Sequence, residues 1–281
     1  MRADGIKIKN ADAMYRVAAH IMKKRYDAMN MITIDIPLEP IKAYVNKRRR
    51  ENGPVNHLAI LLAAYLRTVS QFPALNRFVV NKQFYARKEI AVGMVVLKGG
   101  KIDNHGTMSK MKFELTDTIF DVTNKIKDYV EKNRTDEENN STEKTIDVLT
   151  KIPGLLRFGV PILLWMDKHG FLPQKLIDVS PFHASMSISN LASIRTNHVY
   201  HHCYEFGTTS IFMTIGNMRE VPKRVNGEIV FERCLPLGIV MDERIASGSY
   251  FALAFRQFAK YLENPELLEQ PVTEIVPDPG I

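Results

Sequence analysis

The stretch Leu235–Leu268, LPLGIVMDERIASGSYFALAFRQFAKYLENPELL, contains a predicted strand, a turn and a helix in immediate succession. Leu235–Met241 is an unbroken apolar run, which predicts a strand buried on both faces. Apolar residues then recur at helical spacing over Ser249–Leu262, and Asn264-Pro265 ends the pattern. The charged turn between these elements, Asp242–Gly248, is the first candidate for chemistry.

Upstream of this stretch, predicted strands and helices mix without strict alternation. Asn226-Gly227 predicts a hairpin turn, because these residues accept the positive φ that a two-residue turn needs. The patterns predict helices at residues 12–29, 38–50, 55–72 and 117–132, and strands at residues 30–36, 78–80, 83–85, 90–97, 110–114, 185–191, 208–218, 219–225 and 228–233. We therefore expect an α/β (α+β) fold, a two-layer sandwich in which a mixed, largely antiparallel sheet has helices on one face.

The composition is that of an ordinary globular protein, with 45% hydrophobic and 25% charged residues. Cys203 and Cys234 give no disulfide framework, and no signal peptide is evident, so we expect free thiols and a cytoplasmic location. The most apolar run, residues 154–166, is too short to span a bilayer. We expect this run to be buried rather than to lie at a membrane surface, and we expect no membrane partner.

We expect a single domain over residues 1–266, with a polar loop at residues 133–146 and a flexible acidic tail at residues 267–281. The net charge of +7 is partly concentrated in Lys47–Arg50, a run that could bind a polyanion such as nucleic acid. The stop signal that follows this run favours a solvated helix end instead. No aromatic residue interleaves the run, so binding to nucleic acid is not expected.

The charged turn resembles the active-site motif of the dihydrolipoyl acyltransferases of 2-oxo acid dehydrogenase complexes, whose catalytic core has the chloramphenicol acetyltransferase fold. In that family the motif reads Asp-His-Arg-x-x-Asp/Asn-Gly. Three positions match it, namely Asp242, Arg244 and Gly248. Glu243 replaces the histidine, and Ser247 replaces the Asp or Asn.

The resemblance extends upstream of the turn and covers about residues 12–266. Ser187–Leu191 resembles the family's Thr-Ile-Ser-x-Leu strand, in which the second hydroxyl, here that of Ser189, hydrogen-bonds the tetrahedral intermediate. Tyr15-Arg16-Val17 resembles the opening helix of the family. The arginine of that helix pairs with the second aspartate of the motif, at the position that Ser247 occupies here.

The resemblance implies a CoA-dependent acyltransferase. In this family a histidine takes the proton from the thiol of CoA or dihydrolipoamide, and a serine hydroxyl stabilises the oxyanion. The implied assembly is a homotrimer with its active site between subunits, and the implied substrates are CoA or acyl-CoA and a small acyl donor or acceptor. The resemblance implies no metal. No lipoyl attachment site is expected, because the resemblance begins almost at residue 12.

The replacement of the histidine leaves the base undecided. Proton transfer from a thiol to an unperturbed histidine is uphill by ~2.7 kcal/mol, whereas transfer to an unperturbed glutamate is uphill by ~5.7 kcal/mol. Burial of the carboxylate would recover part of this difference, but an ion pair with Arg16 or Arg244 would keep it ionised. We favour a pairing role, in which Glu243 replaces the partner that Arg16 loses at Ser247.

A second candidate for the base lies in a cluster of metal-ligand and acid–base side chains: His198, His201, His202, Cys203 and Glu205. The spacing matches no standard metal site, so no metal is expected. His201 or His202 could act on the thiol, because the resemblance places this segment beside the acceptor pocket. The alternative is that these side chains only form the hydrogen bonds of a loop or an interface and have no catalytic role.

Three functions stay open at this stage. The retained Ser189 favours an active acyltransferase with an altered base. The joint loss of the motif's histidine and aspartate favours a catalytically inactive trimeric binding or scaffold homologue. A polyanion-binding protein that uses Lys47–Arg50 is the third candidate.

Overall fold

Strand β10 (Glu228–Asp242) is the longest strand of the computed structural model and pairs with three neighbours. Its first half pairs with β9 (Arg219–Val225), and its apolar second half lies between β2 (Met29–Pro37) and β8 (Ile211–Ile215). The sequence predicts these halves as two strands. That prediction is wrong, because Cys234 pairs with β9 and β2 at once and leaves no break.

The structure describes residues 2–51, 53–97, 106–134, 150–151 and 154–281, so most of the predicted polar loop at residues 133–146 lies outside it. The helices within these ranges are α1 (Ala13–Ile21), α2 (Leu38–Arg50), α3 (His57–Gln71), α4 (Ile119–Arg134), α5 (Leu155–His169), α6 (Gln174–Val179) and α7 (Gly248–Glu263). The remaining strands are β1 (Gly5–Lys7), β3 (Arg77–Val80), β4 (Gln83–Arg87), β5 (Ile90–Leu97), β6 (Gly106–Phe113) and β7 (Met186–Asn190).

The main sheet has the order β2-β10-β8-β7-β5-β6, with β9 beside β10. Its pairs are antiparallel except that β7 runs parallel to both β5 and β8. A second sheet has the order β1-β4-β3. The predicted mixed, largely antiparallel sheet is confirmed, and so is the hairpin turn, where Asn226 and Gly227 have φ of 52° and 92°.

The two faces of the main sheet have different surroundings. Alternate residues such as Leu237 and Ile239 point into a core shared with α3 and α7, which confirms the predicted helix layer on one face. The opposite face carries Gly238, Thr214 and Ser189 at one level of the sheet. No helix layer covers this second face within the described residues, so it is the face on which a site can form.

The first helix is shorter than the predicted helix at residues 12–29. It ends at Ile21, and a 3₁₀ turn over Arg25–Ala28 leads into β2. The guanidinium of Arg25 is buried and donates to the carbonyls of Val79 and Gly207 at 3.3 Å each. The chain leaves the helix because a buried guanidinium needs these acceptors.

Helix α5 contradicts the expectation that residues 154–166 are buried. Asp167 is its only buried residue, and Phe158, Ile162 and Trp165 are exposed. An apolar run is buried only if another element packs against it, and no described element packs against this side of α5. No helix among the described residues is long and apolar enough to cross a bilayer.

The C-terminal segment, for which the sequence predicts a flexible tail, contacts the body at several points. Asp278 accepts hydrogen bonds from Arg77, and the Val276 N–H donates to the Ser70 carbonyl at 2.8 Å. These contacts connect residues 267–281 to β3 and α3. The mobility of the segment stays a prediction.

A buried ion-pair network fixes the turn that follows β10. The carboxylate of Asp242 is fully buried and accepts hydrogen bonds from Arg244 Nε at 2.8 Å and Nη2 at 2.7 Å. The Nε of Arg25 lies 3.6 Å from Asp242 Oδ2 on another side. Arg244 also donates to the Met22 carbonyl at 3.1 Å, which ties the turn to the end of α1.

A second buried network anchors the N-terminus to α5. Arg2 donates to Asp4 at 2.9 Å and to Asp167 at 2.7 Å, and His183 Nε2 lies 3.2 Å from Asp167 Oδ1. Burial alone would raise the pKa of Asp167, but His183 and Arg2 outweigh it and hold the pKa well below its ordinary value. Burial lowers the pKa of His183, and Asp167 offsets this only in part.

We predict that Asp242→Asn lowers the free energy of unfolding by about 3–5 kcal/mol, because it leaves two buried guanidinium groups without a charged partner. The matched control is Asp35→Asn, whose pair with Arg219 is partly exposed, and it should cost less than about 1 kcal/mol. Urea denaturation of both variants measures the difference. Equal losses in the two variants would contradict the structural role of the Asp242 network.

We predict that the protein loses stability as the pH falls below about 6.5, the ordinary pKa of histidine. The pKa of His183 is lowered in the folded state, so the unfolded chain binds its proton first and stability is complete only above this pH. Asp167 adds a second loss below about pH 4, because its folded pKa is also lowered. Urea midpoints across this range test the effect. His183→Gln should flatten the first loss, whereas His20→Gln, at an exposed position, should not.

Candidate functional site

Arg16, for which the resemblance implies a partner at the position of Ser247 and for which we expect Glu243 as the replacement, does not contact the charged turn. Arg16 is exposed on α1, and none of the ion pairs formed by the described residues includes it. A different arginine, Arg25 in the 3₁₀ turn after α1, lies beside the charged turn, with its Nε 3.6 Å from Asp242 Oδ2. The expected role of Arg16 in the site stays a prediction.

Glu243 faces solvent in part and bonds to an amide instead of an arginine. Its Oε2 accepts a hydrogen bond from Asn30 Nδ2 at 2.7 Å, and its backbone N–H donates to the Ala28 carbonyl at 2.8 Å. Neither Arg16 nor Arg244 forms an ion pair with it among the described residues. The expected pairing role is not seen, and the carboxylate lies at the edge of β2.

Ser247 caps the helix that follows the turn. Its Oγ accepts a hydrogen bond from the Tyr250 N–H at 3.1 Å and lies 2.9 Å from Ser249 Oγ. A serine hydroxyl caps a helix about as well as an aspartate or asparagine side chain does. The replacement at this position therefore keeps the start of α7 intact.

Ser189 lies on β7 and points to the sheet face opposite the helices. It pairs with Thr214 on β8, which in turn is level with Gly238 on β10 and Thr33 on β2. The residue is half-buried, and its hydroxyl enters none of the hydrogen bonds found among the described residues. A free hydroxyl at this place can donate to a ligand.

Ser189 and Glu243 do not meet within one chain. Glu243 comes five residues after Gly238, just past the end of β10. Ser189 is level with Gly238 but lies on β7, two strands from β10. With ~3.3 Å per residue and ~4.8 Å between strands, the separation is on the order of 15–20 Å. One subunit therefore does not bring these two predicted site residues together.

The residues from His198 to Glu205, here called the histidine segment, cross the sheet face that carries Ser189. At one end, Thr33 Oγ1 lies 3.0 Å from His198 Nε2 and 2.5 Å from the Tyr200 hydroxyl. At the other end, Glu205 accepts a hydrogen bond from the Arg25 backbone N–H at 2.7 Å. The segment is held at both ends, so its imidazoles have defined positions.

Of the other two imidazoles of this segment, only that of His201 lies over β8. The His201 ring stacks on Phe212 with 4.2 Å between centroids, and its Nδ1 lies 2.9 Å from the His202 carbonyl. The His202 side chain is exposed beside Tyr204. Burial raises the pKa of the Cys203 thiol to about 12, so this cysteine stays protonated near neutral pH.

No group of three His, Cys, Asp or Glu side chains within the described ranges is arranged to hold a metal ion. The imidazoles of the histidine segment instead contact a hydroxyl, an aromatic ring and a carbonyl. His198 therefore makes a polar contact with a hydroxyl, and His201 packs on an aromatic ring.

His198 and Thr33 form a contact that sequence reasoning did not select. The signal that could have found it is Gly238 inside an apolar strand, since a strand glycine often marks the close approach of another backbone. A Cβ at Gly238 would lie 2.8 Å from the Val199 carbonyl oxygen and 2.9 Å from His198 Cδ2. The glycine therefore makes room for the histidine segment.

Comparison with known proteins gives a family match for the C-terminal part of the chain. Residues 182–269 match the model of the 2-oxoacid dehydrogenases acyltransferase (catalytic domain). These residues hold β7, the histidine segment, β8 to β10 and α7. Among curated proteins, none matches the sequence.

Solved structures match over nearly the whole chain. The cubic core of the pyruvate dehydrogenase multienzyme complex is 11% identical, with a TM-score of 0.60 over 90% of this chain and 89% of that one. Azotobacter vinelandii dihydrolipoamide acetyltransferase is 12% identical, with a TM-score of 0.60 over 93% and 90%. A chloramphenicol acetyltransferase is 9% identical, with a TM-score of 0.54 over 92% and 99%. The chain therefore has the fold of these acyltransferases, and its residues 182–269 carry the sequence pattern of the 2-oxoacid dehydrogenase acyltransferase catalytic-domain family.

Proposed function

We propose that the protein is an acyltransferase that moves an acyl group between CoA and a small acceptor, with a base from the histidine segment. The observation that carries this proposal is that the histidine segment crosses the sheet face on which Ser189 presents a free hydroxyl. Both of the groups needed for acyl transfer, a base and an oxyanion donor, then lie on one face of one chain.

His198 is the first candidate for the base. Its ring lies over Gly238, two strands from Ser189, so the two residues are separated by roughly 10 Å. The backbone of Val199 bonds to Thr214 Oγ1 on β8, the strand between them, so a thioester would bind above this contact. His198 would take the proton of the acceptor as it attacks the carbonyl carbon, Ser189 would donate to the oxyanion, and the CoA thiolate would leave and take up a proton.

Glu243 is a poorer candidate for the base. A carboxylate is weaker than an imidazole toward a thiol by about 3 kcal/mol at ordinary pKa values. Asn30 already occupies its Oε2, and the residue lies far from Ser189 in the same chain. In the Azotobacter vinelandii relative, a serine, a histidine and an asparagine have roles in the catalytic mechanism. A serine and histidines also lie on one face of this chain.

We predict that Ser189→Ala lowers kcat for acetyl transfer from acetyl-CoA to dihydrolipoamide by about 10²–10³-fold, through loss of an oxyanion donor. Removal of the base by His198→Ala should cost about 10²–10⁴-fold. Released CoA, measured by chromatography, gives the rate. Ser193→Ala and His20→Gln, at exposed positions elsewhere, are the matched controls and should keep the wild-type rate.

The same assay separates the candidates for the base. Glu243→Gln should leave the rate unchanged, and a large loss in this variant with an active His198→Ala would assign the base to Glu243. If His201→Ala or His202→Ala is inactive while His198→Ala is active, the base lies elsewhere in the histidine segment. Equal rates in Ser189→Ala and the wild type would contradict the oxyanion role.

A catalytically inactive scaffold is the second candidate function. It is favoured by one observation: the residues of the charged turn all have structural partners, since Asp242 binds two arginines and Ser247 caps α7. This function would be supported by a wild-type protein without turnover that gains activity in the Glu243→His, Ser247→Asp double variant. Robust wild-type turnover would exclude it.

We also propose a homotrimeric assembly in the cytoplasm. The hairpin of β9 and β10 carries Ile229 and Phe231, each 66% exposed, and contiguous exposed apolar side chains of this kind mark interaction sites. Both cysteines are free and buried, which agrees with a reducing compartment.

We predict a mass three times that of the 32.1 kDa chain in sedimentation equilibrium. Ile229→Asp together with Phe231→Asp should reduce the mass, because two charges would be buried without partners at the contact. Leu253→Asp, an exposed apolar position on α7, is the control and should leave the mass unchanged. A monomeric wild-type protein would contradict the proposal.

A further inference from the structure

Helix α5 is apolar on its inner and its outer side. The outer side carries Phe158, Ile162 and Trp165, which are 67%, 57% and 55% exposed and lie within one stripe at helical spacing. Phe171, also exposed, stacks on Trp165 with 5.8 Å between ring centroids. These four side chains form one apolar surface, here called the outer patch. A helix that is apolar all round is ordinarily covered.

Cations border the outer patch, and the helix offers no exposed acid. Arg157 and Lys168 are exposed on the same helix, and the Arg157 guanidinium lies 5.7 Å from the centre of the Phe158 ring. Asp167, the only acidic residue of α5, is buried and paired with Arg2. The exposed side of α5 is therefore apolar and positively charged.

A basic cavity of about 450 Å³ lies on the flank of α5, lined there by Leu164 and Lys168. Asp167 and Glu205 are its only acidic lining residues. Asp167 already binds Arg2, and Glu205 already accepts from the Arg25 backbone.

The basic residues of the cavity divide into two groups. The guanidinium groups of Arg25 and Arg244 are committed to Asp242 and to carbonyls. The ammonium groups that remain at the cavity belong to four lysines: Lys23, Lys24, Lys82 and Lys168. None of the ion pairs among the described residues includes any of these lysines. Lys24 Nζ lies 5.3 Å from the centre of the Tyr26 ring, and the cavity as a whole has an excess of positive charge.

We propose that the outer patch and the basic cavity together form a docking surface for an anionic phospholipid bilayer. The aromatic and aliphatic side chains of the patch would enter the boundary between headgroups and acyl chains, as in other interfacial helices. The lysines of the cavity would bind lipid phosphates. The inference does not depend on the proposed acyl transfer.

Charge complementarity favours a bilayer over a second copy of the chain. A symmetric contact through the outer patch would place the same surface of two subunits together. The cations that border the patch would then face like charges, which costs free energy. An anionic lipid surface pairs with the same cations.

The length and composition of α5 agree with a helix that lies in the plane of the membrane. At ~1.5 Å per residue its fifteen residues reach about 22 Å, less than the ~30 Å of a bilayer core. Trp165 is of the type enriched at membrane interfaces. The sequence-based expectation of no membrane partner rested on burial of this run, which the structure contradicts.

Trp165 is the only tryptophan of the chain, so its fluorescence reports on the outer patch directly. With vesicles of phosphatidylglycerol and phosphatidylcholine, we expect a blue shift of the emission and cosedimentation of the full chain. Added salt should weaken both, because the attraction is partly electrostatic. Vesicles of phosphatidylcholine alone should give neither effect.

Variants separate the two parts of the surface. Phe158→Ser with Ile162→Ser should abolish cosedimentation, whereas Leu253→Ser, an exposed apolar position on α7, should not. Lys23→Gln and Lys82→Gln should each weaken binding about fivefold. Arg49→Gln, in the basic run at the end of α2, is the matched control for charge and should bind like the wild type.

Two results would overturn the proposal. One is the absence of binding to vesicles of either composition. The other is a blue shift that grows with protein concentration without vesicles, which would assign the outer patch to a second copy. Neither result bears on acyl transfer, and the loss of transfer activity in Ser189→Ala would not affect vesicle binding.

Discussion

The pairing of Asp242 with Arg25 and Arg244 is the interaction on which the rest of the structure depends. It lies at the end of β10, where the main sheet, the end of α1 and the histidine segment meet. Arg25 also donates to the carbonyls of Val79 and Gly207, so one buried cation connects the second sheet to the main sheet. Removing the carboxylate would leave this cation uncompensated in the interior.

This structural use of the charged turn changes where chemistry can occur. In the family that the chain resembles, the turn supplies the base, but here Asp242 is an anchor, Ser247 is a helix cap and Glu243 bonds to Asn30. The histidine segment offers imidazoles on a different surface, the sheet face of Ser189. Gly238 permits this arrangement, because any side chain there would displace the segment.

Two exposed apolar surfaces are not covered by the described part of the chain. The hairpin of β9 and β10 and the outer patch of α5 both place large apolar side chains in water, at a cost that contact with another surface would relieve. They differ in charge, since the hairpin mixes cations with exposed acids such as Glu220 and Glu228, whereas the only acid of α5, Asp167, is buried. This difference is why the two surfaces suit different partners.

The sequence by itself determined most of the elements of this protein. The period of the hydrophobic residues and the Asn226-Gly227 pair determine the conformation of nearby residues. For this reason β2, α2, α3 and the hairpin could be predicted. Only the tertiary structure decided that Arg25 meets Asp242, that His198 reaches Thr33, and that α5 is exposed. Each of these depends on residues far apart in the chain, and local patterns carry no information about which distant group supplies a partner or leaves a surface uncovered.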